Sequence, residues 1–161
     1  MWLVRHAHAC SGSPSGDADR QVDGRGRAQL QRLGRQLAGL VAAGRLAQPA
    51  VMATSAAVRA RQTAAALADA IGLPEPDVEA GLYRADADDL LAWLRSRHDG
   101  TDPVAVVGHN PTMADVVGWL VGPDAAPAGL ATATVAVIEL PAQRWSAVAP
   151  GTGRLVQLLQ G

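Results

Sequence analysis

Three short stretches carry side chains whose types and spacing could handle a phosphoryl group: Arg5-His6, Ser55 to Arg59, and Gly108-His109-Asn110. The first follows an apolar run, Trp2-Leu3-Val4, so a buried strand would deliver a fixed cation beside a titratable imidazole at its carboxyl end. In open α/β sheets that end of the strands is where ligands bind. An arginine can hold a phosphate in a planar fork, and a neutral histidine can attack it. Arg59 falls in the first turn of its expected helix, and His109 falls just before the first turn of another. Helix N-termini offer free N–H groups and a positive dipole end. Each residue alone has a more ordinary reading: a hydrogen-bonded strand-end histidine, a solvated arginine, a core histidine. Convergence of two arginines and two histidines on one point would make an anion-selective pocket. His8, on the exit from the first stretch, could line its mouth.

The elements that must position these residues alternate between strand and helix. After the first strand, Cys10 to Asp19 has the Ser, Gly, Pro and Asp content of a surface loop. Leu30, Leu33, Leu37, Leu40 and Val41 recur on one face of a helix from Gly26 to Ala43. Residues 49–54 read as a second strand, Ser55 as an N-cap, and Ala56 to Ile71 as a helix stopped at Gly72-Leu73-Pro74. Glu75 to Gly81 is an irregular connection with room for one short strand, and Ala85 to Arg97 forms a third helix. Val104-Ala105-Val106-Val107 is a continuous apolar run of the kind buried on both faces of a parallel sheet. Asn110 then reads as the cap of a helix with Pro111 at its first position, its inner stripe being Met113, Val116, Val117 and Leu120. Thr132 to Leu140 and Trp145 to Val148 are the last strand candidates, close enough together that at least one must be antiparallel. The alternation predicts an α/β three-layer sandwich with a mainly parallel central sheet.

At 161 residues, with no internal repeat and no linker, a single domain spanning 1–161 is expected. A net charge of −1 gives no electrostatic reason to expect nucleic acid or a membrane surface as partner. All basic residues are arginine, and Phe is absent, so Leu, Val and Ala with four tryptophans must build the core. Cys10 is the only cysteine and reads as a spectator thiol, with no internal disulfide. No segment approaches the roughly 18 apolar residues of a membrane span, and a cytoplasmic, monomeric protein is expected. No metal-ligand spacing is visible, and no metal or other cofactor is expected.

Leu3-Val4-Arg5-His6-Ala7 resembles the Arg-His-Gly or Arg-His-Ala signature of the histidine phosphatase superfamily, whose fold is called phosphoglycerate-mutase-like. Ser55-Ala56-Ala57-Val58-Arg59-Ala60-Arg61-Gln62-Thr63 resembles its Ser-Pro-x-x-Arg-Ala-x-Gln-Thr stretch, and Val107-Gly108-His109-Asn110-Pro111 its second-histidine motif. Asp19-Arg20 and Gly26-Arg27 stand where members carry an Arg-x-Leu-Thr…Gly-Arg segment. The short chain is most similar to the SixA-type branch, which dephosphorylates phosphohistidine. The resemblance implies that His6 is the nucleophile, that Arg5 and Arg59 clamp the phosphoryl oxygens, that His109 donates a hydrogen bond to them, and that no metal takes part. It implies a phosphorylated substrate, first of all a phosphohistidine protein. A small-molecule or nucleotide phosphomonoesterase and a non-catalytic phospho-ligand module are the alternatives. Ala56 departs from the usual Pro, and Gln21-Val22-Asp23 from the usual Pro-Leu-Thr. The general acid of larger members has no firm counterpart; Glu79 and Asp86 lie in the right region.

Overall fold

The computed structural model describes residues 1–97, 103–141 and 144–161. Among these, six strands form one sheet: β1 (Trp2–Arg5), β2 (Val51–Ser55), β3 (Asp77–Glu79), β4 (Val104–Gly108), β5 (Thr134–Glu139) and β6 (Arg154–Gln160), in the spatial order β3-β2-β4-β1-β5-β6. The first four strands of that order are parallel, while β5 pairs antiparallel with both β1 and β6. Four helices cover the sheet: α1 (Gly24–Ala42), α2 (Val58–Ile71), α3 (Ala87–Arg95) and α4 (Thr112–Val121).

Alternation along each central strand divides the core in two. Trp2, Val4, Ala105, Val107, Val135 and Val137 face one layer with Leu33, Leu37, Ala64 and Leu67 of α1 and α2. Leu3, Val104, Val106, Ala136 and Ile138 face the other with Leu90, Leu94, Val116, Val117 and Leu120 of α3 and α4. The expected three-layer sandwich is therefore present. The unbroken apolar run of β4 is explained by its place between β2 and β1, with all five residues buried. Each such valine contributes about 1.5–3 kcal/mol of burial free energy.

Several boundaries differ from those read in the sequence, each for a local reason. Ser55 ends β2 instead of capping α2; the N-cap is Ala57, and the Ser55 hydroxyl turns inward. Asn110 does not cap α4: Pro111 holds that position after a cis Asn110–Pro111 bond, and the Asn110 amide donates to the Leu130 carbonyl at 3.0 Å. The third helix starts later than expected, at Ala87, because Asp86 and Asp89 close a reciprocal capping box there, and it ends at Arg95 with Ser96 as its C-cap. Trp145–Ala147 is a 3-10 turn, not a strand; it buries Trp145 within the second core layer. The final strand is β6, where Leu155, Gln157 and Leu159 are half-buried and the residues between them exposed.

Candidate active site

Strands β1 and β4 run side by side in parallel, with Arg5 opposite Gly108, so both end at the same level. The His6 N–H donates to the Gly108 carbonyl at 3.0 Å, and the His6 carbonyl accepts from Ala133 N–H at 3.0 Å. These bonds pin the His6 backbone between β4 and the start of β5. The Arg5 guanidinium donates to the Leu130 carbonyl, which the Asn110 amide also approaches. Arg5 Nε is buried without a hydrogen-bond partner.

The first turn of α2 brings Arg59 to the same place. Arg59 Nε donates to His6 Nε2 at 3.2 Å. On the far side of the ring, His6 Nδ1 lies 2.7 Å from the Ala7 carbonyl, which can only accept, so Nδ1 carries the hydrogen and Nε2 keeps its lone pair. Thr63 ties the two elements together, accepting from Ala7 N–H at 3.0 Å and donating to the Arg59 carbonyl at 2.7 Å. His109 stands beside His6 with ring centroids 5.0 Å apart, and Tyr83 meets His109 edge-on at 5.7 Å. Ser55 Oγ lies 2.8 Å from His109 Nε2 and already accepts from Ala57 N–H. His109 Nδ1 is buried without a hydrogen-bond partner.

Electrostatics holds both rings neutral. Burial, reinforced by Arg59 and Arg5 and opposed by the Ala7 hydrogen bond, lowers His6 to about 4. Burial, then the neighbouring His6 and Arg59, lowers His109 to about 3. At neutral pH both rings are thus neutral, and His6 offers an unprotonated Nε2 among arginine donors. Such a set can attack an electrophilic phosphorus and hold its oxygens.

A carboxylate enters this cluster from the loop between β1 and α1. Asp17 accepts from Arg59 Nη2 at 2.9 Å, from Arg20 at 2.9 Å and from the Tyr83 hydroxyl at 2.9 Å; its main-chain carbonyl accepts from Arg59 Nη1 at 2.6 Å. These bonds to Arg20, Tyr83 and Arg59 hold the carboxyl far below the usual carboxylate range, so it is ionised. Residue type and spacing alone do not mark Asp17 or Tyr83, whereas Thr63 closes the Ser55–Thr63 stretch quoted above. For Tyr83 the available signal was that it is the only tyrosine in the chain.

The structure brings together Arg5, His6, Arg59 and His109. His8 behaves differently: its ring donates to Asp23 at 2.6 Å, and its N–H donates to Gln29 Oε1 at 3.0 Å. Asp23 also caps α1 through Gly26 N–H, so the residue standing in place of the usual Thr organises this turn. Gly26 is required there, because a Cβ would collide with the His8 carbonyl. Asp86 is committed to capping α3, and Glu79 ends β3 opposite Ser55. Cys10 is exposed. No group of three or more His, Cys, Asp or Glu residues stands close enough to form a metal-ligand set among the described residues. No helix there is long and apolar enough to cross a membrane.

Sheet and cluster together define an α/β protein with two histidines and two arginines gathered at the ends of parallel strands. The family model described as "Histidine phosphatase superfamily (branch 1)" matches residues 1–84, and the chain belongs to that superfamily. It is a hydrolase acting on phosphorylated substrates. A structure from Agrobacterium tumefaciens assigned as a SixA phosphohistidine phosphatase is 27% identical with a TM-score of 0.79, covering 98% of this chain and 95% of its own. The protein histidine phosphatase SixA complexed with tungstate is 22% identical with a TM-score of 0.80 (99% and 95% covered). A mycobacterial glucosyl-3-phosphoglycerate phosphatase is 18% identical with a TM-score of 0.63 (97% and 96% covered), a likeness of fold alone. No curated protein sequence matches the chain.

Proposed function

We propose that the chain is a phosphohistidine phosphatase that works through a covalent phosphoryl group on His6. The observation that carries this reading is the His6 ring, neutral and unprotonated at Nε2, with Arg59 Nε on that atom and His109 beside it. The Nε2 lone pair attacks phosphorus, the bond from phosphorus to the leaving group breaks, and the electron pair departs with the leaving group. Arg5, Arg59 and His109, the last with Ser55 donating to its Nε2 and the ring hydrogen on Nδ1, hold the phosphoryl oxygens. Water then attacks phospho-His6, releasing inorganic phosphate and restoring the ring. His8 takes no part in these steps, and its ring bond to Asp23 steadies the loop.

The preference for phosphohistidine rests on proton supply. Asp17, the carboxyl bound to Arg59, is held ionised in the free protein and carries no proton to give, while Asp86 is occupied as a cap. An alkyl phosphate expels an alkoxide and needs such a donor, typically worth about 10²–10⁴ in rate. Phosphohistidine protonated on its ring expels a neutral imidazole. The likeness to SixA-type structures supports the same choice. Rapid quench with labelled substrate tests the reading: an acid-labile, alkali-stable phosphoprotein should form and map to His6. Label on Ser55 or Cys10, or full turnover by His6→Ala, would overturn it.

A further inference from the structure

Asp17 sits where the sequence offers no motif, in the first position of a 3-10 turn (Asp17–Asp19) within the loop leaving β1. Its carboxylate gathers Arg59, Arg20 and the Tyr83 hydroxyl, two cations and one neutral donor around a single anion. Donor sets of this kind hold phosphate as readily as carboxylate. Arg59 is nearly buried, its side chain 7% exposed, and Asp17 is the carboxylate paired with it. The Asp17 side chain, by contrast, is 54% exposed and stands on a Ser-, Gly- and Pro-rich loop.

Every nitrogen of the Arg59 guanidinium is thereby engaged: Nε on His6, Nη1 and Nη2 on Asp17. The Nε–H also covers the lone pair with which His6 would attack. A phosphoryl group reaching His6 must draw Arg59 donors to itself, and Asp17 competes for the same guanidinium. A buried arginine needs an anion beside it whether or not substrate is present. In the free protein that anion is Asp17; in the complex a phosphoryl dianion can serve.

We propose that Asp17 is a specificity-determining residue: a tethered carboxylate that occupies the Arg59–Arg20–Tyr83 donors until a phosphoryl group displaces it, and that keeps weaker anions out of the site. This rests on the phosphatase reading above, because it names what competes at the same pocket. A singly charged carboxylate from solution gains nothing by replacing one already held in place. A phosphoryl dianion brings more charge and more acceptor oxygens, and exchanges favourably.

The test is binding of inorganic phosphate, followed by calorimetry at pH 7.5 in the full chain, its Asp17→Asn variant and its Asp17→Glu variant. Asp17→Asn should bind phosphate about tenfold more tightly, equivalent to about 1.4 kcal/mol, and Asp17→Glu should return towards the original value. Acetate should compete with phosphate in Asp17→Asn and not in the unaltered chain. In the unaltered chain, saturation with phosphate should also shift the Asp17 carboxyl carbon resonance, a measurement that needs no variant. Equal or weaker phosphate binding by Asp17→Asn, or an Asp17 resonance that phosphate leaves in place, would overturn the proposal. Turnover of an aryl phosphate by the unaltered chain, measured in parallel, reports on the phosphatase reading alone.

Discussion

Arg59 Nε donates to His6 Nε2 across 3.2 Å, joining the first turn of α2 to the residue that follows β1. The two lie 53 positions apart in the chain, and the parallel path of β1, β4 and β2 through the sheet brings their elements to the same end of the strands. The bond fixes which ring nitrogen is free, because it takes an acceptor and a protonated Nε2 could not supply one.

That geometry makes Arg59→Lys a severe change. A lysine carries the charge but not the fork that reaches His6 and Asp17 together. We expect kcat/KM for an aryl phosphate to fall about 10²–10³-fold, the range seen when one charge-stabilising donor is removed. A loss below threefold would mean that the guanidinium is not used in the transition state.

The lowered histidines set the pH response. His6 must be unprotonated to attack and takes its proton only at about 4, so kcat/KM should hold across pH 5–7 and fall below about 4. The same shift bears on stability. An unfolded histidine is protonated near 6.5, so between that value and about 4 the unfolded chain binds more protons than the folded one, and stability falls as pH drops through this window. Urea midpoints should therefore be lower at pH 5 than at pH 7, with a smaller difference in His6→Gln. An acid limb near 6.5, or a His6 ring titrating there by NMR, would refute the desolvated site.

Leaving groups should be sharply discriminated. With Asp17 ionised and Asp86 bound to Asp89 N–H, kcat/KM should fall steeply as leaving-group pKa rises. Asp86→Asn and Glu79→Gln should change hydrolysis of a phosphohistidine protein little. Asp86→Ala should cost about 0.5–2 kcal/mol of stability as a lost cap. Alkyl monoesters turned over as fast as phosphohistidine, or their selective loss in Glu79→Gln, would identify a general acid and favour the small-molecule reading.

Gly26→Ala and Gly24→Ala separate a tight site from an open one on the same helix. The new Cβ at Gly26 meets the His8 carbonyl and the Val22 side chain, whereas at Gly24 its nearest neighbour is the Arg27 guanidinium at 3.8 Å. Overpacking of this kind costs about 1–3 kcal/mol, so the denaturation midpoint should drop for Gly26→Ala and stay level or rise for Gly24→Ala. Equal midpoints would show that α1 can shift away from the β1 exit.

Residue order alone determined the layers and the principal cluster. The apolar runs of β1 and β4 end at Arg5-His6 and Gly108-His109, and period-3.6 stripes on α1 and α4 marked the faces that cover the sheet. Such patterns are local, because burial on one face constrains residues two, three or four apart. Strand β6 had its own alternation, but its modest burial at the sheet edge made the signal weaker than the apolar segment around Trp145, which forms a turn. Tertiary structure decided what local pattern could not: that Ser55 serves His109 and not a helix end, that Asn110 serves Leu130, that His8 turns to Asp23, and that Asp17 meets Arg59 from 42 residues away. Each of these is a hydrogen bond between polar groups distant in the chain. A polar side chain with several partners within reach carries no period, and only the packed sheet and its loops determine which one it meets.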